Sequence, residues 1–199
     1  MGDLISGGIH ATIRIENKEN IVEQVVGVSE LISDFIYELA RHFENVIVGS
    51  VDGNHSRIEK NLEDALRGEK LDALIPWYCR TKLENITNVE FTDNEYDPSI
   101  GACLIHGKQF VFVHGDMDSD LNVSAQRIER FIGRKVDCIL GAHMHIAEMR
   151  NDATLIVRNG SVCGSGDEYT MKKRLFGPPA QVVLCVTEDG VESICPVLL

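Results

Sequence analysis

From Ile21 to Phe43 the apolar residues Ile21, Val22, Val25, Val26, Leu31, Ile32, Phe35, Ile36, Leu39 and Phe43 recur at three- and four-residue steps, which predicts an amphipathic helix. The short apolar run Asn45-Val46-Ile47-Val48-Gly49 then predicts a strand, followed at once by the turn-forming Asp52-Gly53-Asn54-His55-Ser56. Residues 57–68 and 69–84 read as two further helices, with Pro76 opening or kinking the second. Val89-Glu90-Phe91, Gly101 to Ile105 and Phe110 to Val113 read as strands, the last two joined by a hairpin turn at His106-Gly107-Lys108. Residues 122–134 predict a helix capped by Asn122 or Ser124, and Val136 to Leu140 a strand running into Gly141-Ala142-His143-Met144-His145. The tail predicts strands at 154–157, 181–187 and 191–195, with a turn at Glu188-Asp189-Gly190 between the last two. Helices alternating with two groups of strands predict an α/β fold of stacked sheets between helical layers, in one domain spanning 1–199.

Polar residues gather at the C-terminal ends of three of these strands, where open α/β sheets place their chemistry. The clusters are Gly53-Asn54-His55, His114-Gly115-Asp116 and Ala142-His143-Met144-His145, and Gly2-Asp3 opens the chain as a fourth. Oxygen and nitrogen donors converging from separate strand ends are what a metal site needs, because rigid elements hold the ligands in place. Any one cluster is a common chance pattern; the set is not.

Composition narrows the partners. Lys plus Arg is 19 against Asp plus Glu at 31, a formal net charge of −12, so no broad basic surface is available to bind phosphate backbones. Nucleic-acid contact has to be local or mediated by metal; Lys172, Lys173 and Arg174 form the densest basic cluster. No apolar run approaches the roughly 18 residues of a membrane span, and the N-terminus lacks a signal-peptide pattern, so a cytoplasmic protein is expected. Cys79, Cys103, Cys138, Cys163, Cys185 and Cys195 form no CxxC pair and are expected as buried, reduced thiols.

In order and spacing, the four clusters resemble the calcineurin-like metallophosphoesterase family, whose pattern runs D-x-H, G-D, G-N-H-[D/E], H, G-H-x-H. The run Gly2 to His10 and the later Arg158-Asn159-Gly160-Ser161 resemble phage and prophage members described as DNA-repair-exonuclease-like. The resemblance implies a four-layer α-β-β-α sandwich, here without its first strand, and a pair of divalent metals, Mn²⁺ first, at the strand ends. It implies Asp3 as the bridging carboxylate, Asn54, His114 and His143 as further ligands of one metal, and His145 as a ligand of the other. A shared carboxylate offsets the repulsion of two cations about 3.5–4 Å apart, and both acidify a water that attacks phosphorus. His55 is implied as the group that stabilises phosphoryl oxygens or protonates the leaving group, with Arg57 supplying a cation to the phosphate.

This chain departs from the pattern in three places. The D-x-H motif does not precede Gly2-Asp3, and His10, downstream, has no Asp-x-His around it; Met1 is therefore expected to be an internal start or the product of a split gene. That leaves Asp3 and His145 alone for one half-site, and a four-ligand mononuclear site in the other. Ser56 stands where the family has Asp or Glu, so His55 lacks a carboxylate to orient it. Ala142 stands where the family has glycine, which is tolerable if the backbone there is not left-handed. The function expected is a metal-dependent phosphoesterase acting on phosphodiesters, DNA among them. The alternative is an impaired domain that binds a partner, whether a missing N-terminal fragment, another copy, or the other part of a split enzyme.

Overall fold

The computed structural model describes residues 1–118, 120–151, 153–166, 168–174 and 176–199. The chain is mixed α/β and divides into two compact units, Gly2–Pro98 and Ser99–Leu199 with Met1.

The first unit is built on a long helix. A short helix, α1 (Ala11–Glu16), precedes α2 (Ile21–Ala40), which starts where Asn20 accepts from the backbone N–H groups of Val22 and Glu23 while the Glu23 side chain accepts from the Asn20 N–H. That reciprocal cap satisfies donors the helix itself leaves orphaned. Its inner face carries small residues, Ser29 and Ser33, whose hydroxyls donate to the carbonyls four residues back. Because they are small, helix α3 (Leu74–Lys82) approaches closely, and the Ser33 hydroxyl lies 3.3 Å from the Cys79 sulfur. Strands β1 (Val46–Val48) and β2 (Val89–Phe91) pair in parallel, and Val46, Val48, Val89 and Phe91 pack into the same apolar cluster as Ile5, Ile36, Ile75, Cys79 and Leu83.

Residues 57–68 are not helical, which corrects the sequence expectation. Ile58, Leu62 and Leu66 have helical spacing but are all exposed, so no core face rewards the helix. The Asn61 side chain instead binds Asp64 and the Glu63 N–H locally. A turn of 3₁₀ helix at Leu71–Ala73 leads into α3, with Pro76 inside the first turn, where a missing N–H breaks no intrahelical bond.

The second unit is a five-stranded mixed sheet in the order β3 (Ile100–Ile105), β4 (Lys108–Val113), β5 (Cys138–Gly141), β7 (Leu155–Arg158), β6 (Glu148–Asn151). The parallel strands β4, β5 and β7 form its centre, with Val111, Val113, Ile139 and Ile156 buried. One face, through Phe110, Cys138 and Val157, packs on Val182, Leu184 and Ile194 of the hairpin β8 (Ala180–Thr187) and β9 (Gly190–Leu198). On the other lies α4 (Leu121–Ile132), close enough that a side chain at Gly141 would meet Leu121. Helix, sheet and hairpin thus form three layers of this unit. Helix α5 (Glu168–Lys173) follows the sheet and was not anticipated; Lys172 on it pairs with Glu168.

Asp120, not Asn122 or Ser124, caps α4, accepting from the Asn122 N–H. Strand β6 is polar, and its pairing to β7 rests on backbone bonds that no apolar pattern announces. All six cysteines are free thiols, but only Cys79 and Cys138 are buried, whereas Cys163, Cys185 and Cys195 are exposed. Burial pushes the Cys138 thiol up to about 12, the nearby Cys103 and Asp137 adding to the effect. No helix among the described residues is long and apolar enough to cross a membrane.

Candidate metal centre

In the second unit, parallel strands β4 and β5 end side by side and deliver His114 and His143. The two rings meet edge to face with centroids 5.0 Å apart, and His143 Nδ1 lies 3.2 Å from His114 Nε2. His114 is buried, and its Nδ1 lies 2.9 Å from the Met1 carbonyl oxygen. A carbonyl only accepts, so Nδ1 carries the proton and Nε2 holds the lone pair that faces His143. The one proton between the rings then sits on His143 Nδ1, and a cation would displace it. Two nitrogens each about 2.0–2.1 Å from one ion at a tetrahedral angle are about 3.3 Å apart, so the donor pair fits a divalent metal.

The backbone around this pair is strained. His143 has φ 64° and His145 φ 60°, left-handed values uncommon outside glycine. The Met144 N–H donates to the Ala142 carbonyl at 2.7 Å, so His143 centres a γ-turn of positive φ, the rarer and costlier form. Ala142 itself is not left-handed, which explains why alanine is accepted where the motif carries glycine. The strain turns two histidines out of the strand end, and such strain gathers at functional sites. His145 is half-buried and lies outside the compact donor group that contains His114 and His143.

The first unit holds Asp3, Asn54, His55 and Arg57. Gly2-Asp3 and Gly53-Asn54 press backbone against backbone: a Cβ on Gly53 would stand 2.0 Å from the Asp3 nitrogen and 2.1 Å from its Oδ1. Only glycine fits there. Asp3 is left-handed at φ 50°, and its Oδ1 accepts from the His55 N–H at 2.8 Å. The neighbouring Asn54 is half-buried. The His55 ring is oriented by a backbone carbonyl: its Nδ1 donates to Ser6 O at 3.1 Å, which leaves Nε2 unprotonated in the neutral ring, 4.0 Å from Asp3 Oδ2. Ser56 does not take up the orienting role of a carboxylate; its side chain is fully buried. Arg57 is half-buried, joined through its backbone to Lys70, and its Nε is enclosed with no hydrogen-bond partner.

Asp72 was not anticipated. Its buried Oδ2 accepts from the backbone N–H groups of Asp3 (3.1 Å) and Gly53 (2.8 Å), so one carboxylate ties both motif loops together. Burial raises its pKa, and the charge of Asp3 adds to the rise, while the backbone bonds from Gly53 and Asp3 oppose it.

No known family profile matches the chain, and no curated protein matches it. Among solved structures the chain is similar to a novel archaeal phosphodiesterase, at 16% identity over 88% of this chain and 91% of that one, with a TM-score of 0.45. It is also similar to Vps29 of Entamoeba histolytica complexed with zinc, at 13% identity over 84% and 88% of the two chains and a TM-score of 0.44. A predicted phosphoesterase of Streptococcus pneumoniae matches at 13% identity over 86% and 91%, with a TM-score of 0.39. At these identities and scores the likenesses carry no activity across to this chain.

Proposed function

We propose that the chain is a divalent-metal-dependent phosphoesterase, acting as one functional domain, whose substrates are phosphodiesters, DNA among them. The observation that carries the reading is the His114–His143 pair, with nitrogens 3.2 Å apart at the ends of adjacent strands. Asp3 and Asn54 are the further ligands that the motif resemblance assigns to the same metal, and His145 serves a second, weaker position. Mixed Asp, Asn and His donors suit a borderline cation, and Mn²⁺ is the metal proposed. Such a metal supplies Lewis acidity at a phosphoryl oxygen and a water acidified to near neutral pH.

The chain's own residues supply the rest. The Ser6 carbonyl holds His55 in one tautomer, so Nε2 is the atom that meets substrate and, once protonated, donates to a phosphoryl oxygen or gives its proton to the leaving oxygen. Arg57 contributes positive charge near the phosphate.

The test is hydrolysis of bis-p-nitrophenyl phosphate with and without added Mn²⁺, for the wild type and His143→Ala. Turnover that requires Mn²⁺ and is lost in the variant is the predicted result. A wild type that binds Mn²⁺ without hydrolysing any ester would overturn the assignment in favour of a partner-binding module.

A further inference from the structure

The segment Ser6 to His10 does more than close the first loop. Gly7 has φ 65°, and a Cβ on it would stand 2.0 Å from the His55 carbonyl oxygen, so this segment is laid directly on the His55 backbone. The Ser6 carbonyl fixes His55 Nδ1, Ile9 is buried as an anchor, and His10 emerges with its ring edge to face with His55, centroids 5.1 Å apart at 61°. His10 precedes α1, and its carbonyl accepts from the Arg14 N–H, but its side chain makes no capping bond. Burial holds its pKa below the ordinary histidine value, the charges of His55, Arg57 and Lys60 adding to the effect and that of Asp3 opposing it. In a chain of net charge −12 this is a local concentration of cationic and N–H-bearing groups.

We propose that His10 is a second substrate-contacting imidazole, which with His55 grips the phosphoryl oxygens of the bound phosphate ester. The proposal rests on the phosphoesterase reading. Two rings held edge to face at 61° meet a tetrahedral anion from different directions, His10 through a ring N–H and His55 through Nε2 once that nitrogen is protonated; the preformed Gly7 turn removes the need to order the loop on binding. Hydrogen bonds to a charged group are stronger than neutral ones, so losing one weakens phosphate binding about ten-fold or more.

The test titrates the Mn²⁺-loaded protein with inorganic phosphate by calorimetry, for the wild type, His10→Ala and His10→Gln, with Mn²⁺ affinity and thermal melting measured alongside. Expected is a Kd for phosphate raised about ten-fold or more in His10→Ala, partly restored in His10→Gln, with Mn²⁺ affinity unchanged; KM for bis-p-nitrophenyl phosphate rises in parallel. Unchanged phosphate affinity in both variants overturns the proposal, as does a wild type that takes up no phosphate. A parallel loss of Mn²⁺ affinity also overturns it, because His10 would then be a metal ligand. Should the wild type bind phosphate but hydrolyse no ester, the enzymatic reading fails while the phosphate titration still decides the role of His10.

Discussion

Replacing Asp72 by alanine probes the tie that holds Gly2-Asp3 against Gly53-Asn54. Two backbone N–H groups, of Asp3 and Gly53, lose their acceptor at 3.1 and 2.8 Å, and each buried orphan donor costs about 1–3 kcal/mol. The side chain is almost wholly enclosed, so water does not readily replace it. Against this, the variant is relieved of a buried carboxylate whose raised pKa reports an unfavourable environment for its charge. The balance is a loss of about 2–4 kcal/mol, which at an m-value of about 2 kcal/mol/M lowers the urea midpoint by about 1–2 M. Asp72→Asn keeps a side-chain oxygen for the same two donors and should lose about 1 kcal/mol or less. Equilibrium urea unfolding of the three proteins is the assay. An alanine variant within about 0.5 kcal/mol of the wild type would refute the assignment of Asp72 as the tie between the loops.

Asp52 gives a pH signature. Burial, with Asp72 and Asp97 adding to it and Lys70 opposing, raises its carboxyl from 3.8 to about 6. A carboxyl whose pKa is raised on folding favours the native state at low pH, and that contribution is lost as pH rises from about 3.8 through about 6. Asp52→Asn should flatten the decline of stability over this window, as read from urea midpoints at several pH values; an unaltered profile would contradict the shift. Gly53→Ala drives a methyl into the Asp3 backbone and carboxylate, so stability should fall by about 1–3 kcal/mol, with Mn²⁺ affinity falling as Asp3 is displaced. Thermal melts and a Mn²⁺ titration check it, and unchanged values in both would count against the close approach.

The histidine clusters were legible because turn-forming polar residues directly follow short apolar runs, and strands β1, β4 and β5 did form close to the expected positions. The helix expected over 57–68 was a stripe without a core: Ile58, Leu62 and Leu66 have helical spacing, but spacing cannot say what a face packs against. Strand β6 escaped notice because Glu148, Met149, Arg150 and Asn151 show no apolar alternation, and its order comes from β7. Asp72 was invisible for another reason. Its partners lie 69 and 19 residues away, and a carboxylate that accepts two backbone N–H groups leaves no local pattern in sequence. The orientation of His55 by Ser6 is of the same kind: the motif pointed to the residue after His55, whereas the acceptor is a main-chain carbonyl 49 positions earlier.

The central claim is that His114 and His143 converge on a divalent metal, and calorimetric titration of Mn²⁺ into the wild type and His143→Ala tests it most directly. The account predicts one well-defined site per wild-type chain, with any second ion much weaker, and loss of the main site in the variant while the fold is retained. A wild type that binds no Mn²⁺, or a variant that binds it as tightly as the wild type, would contradict it.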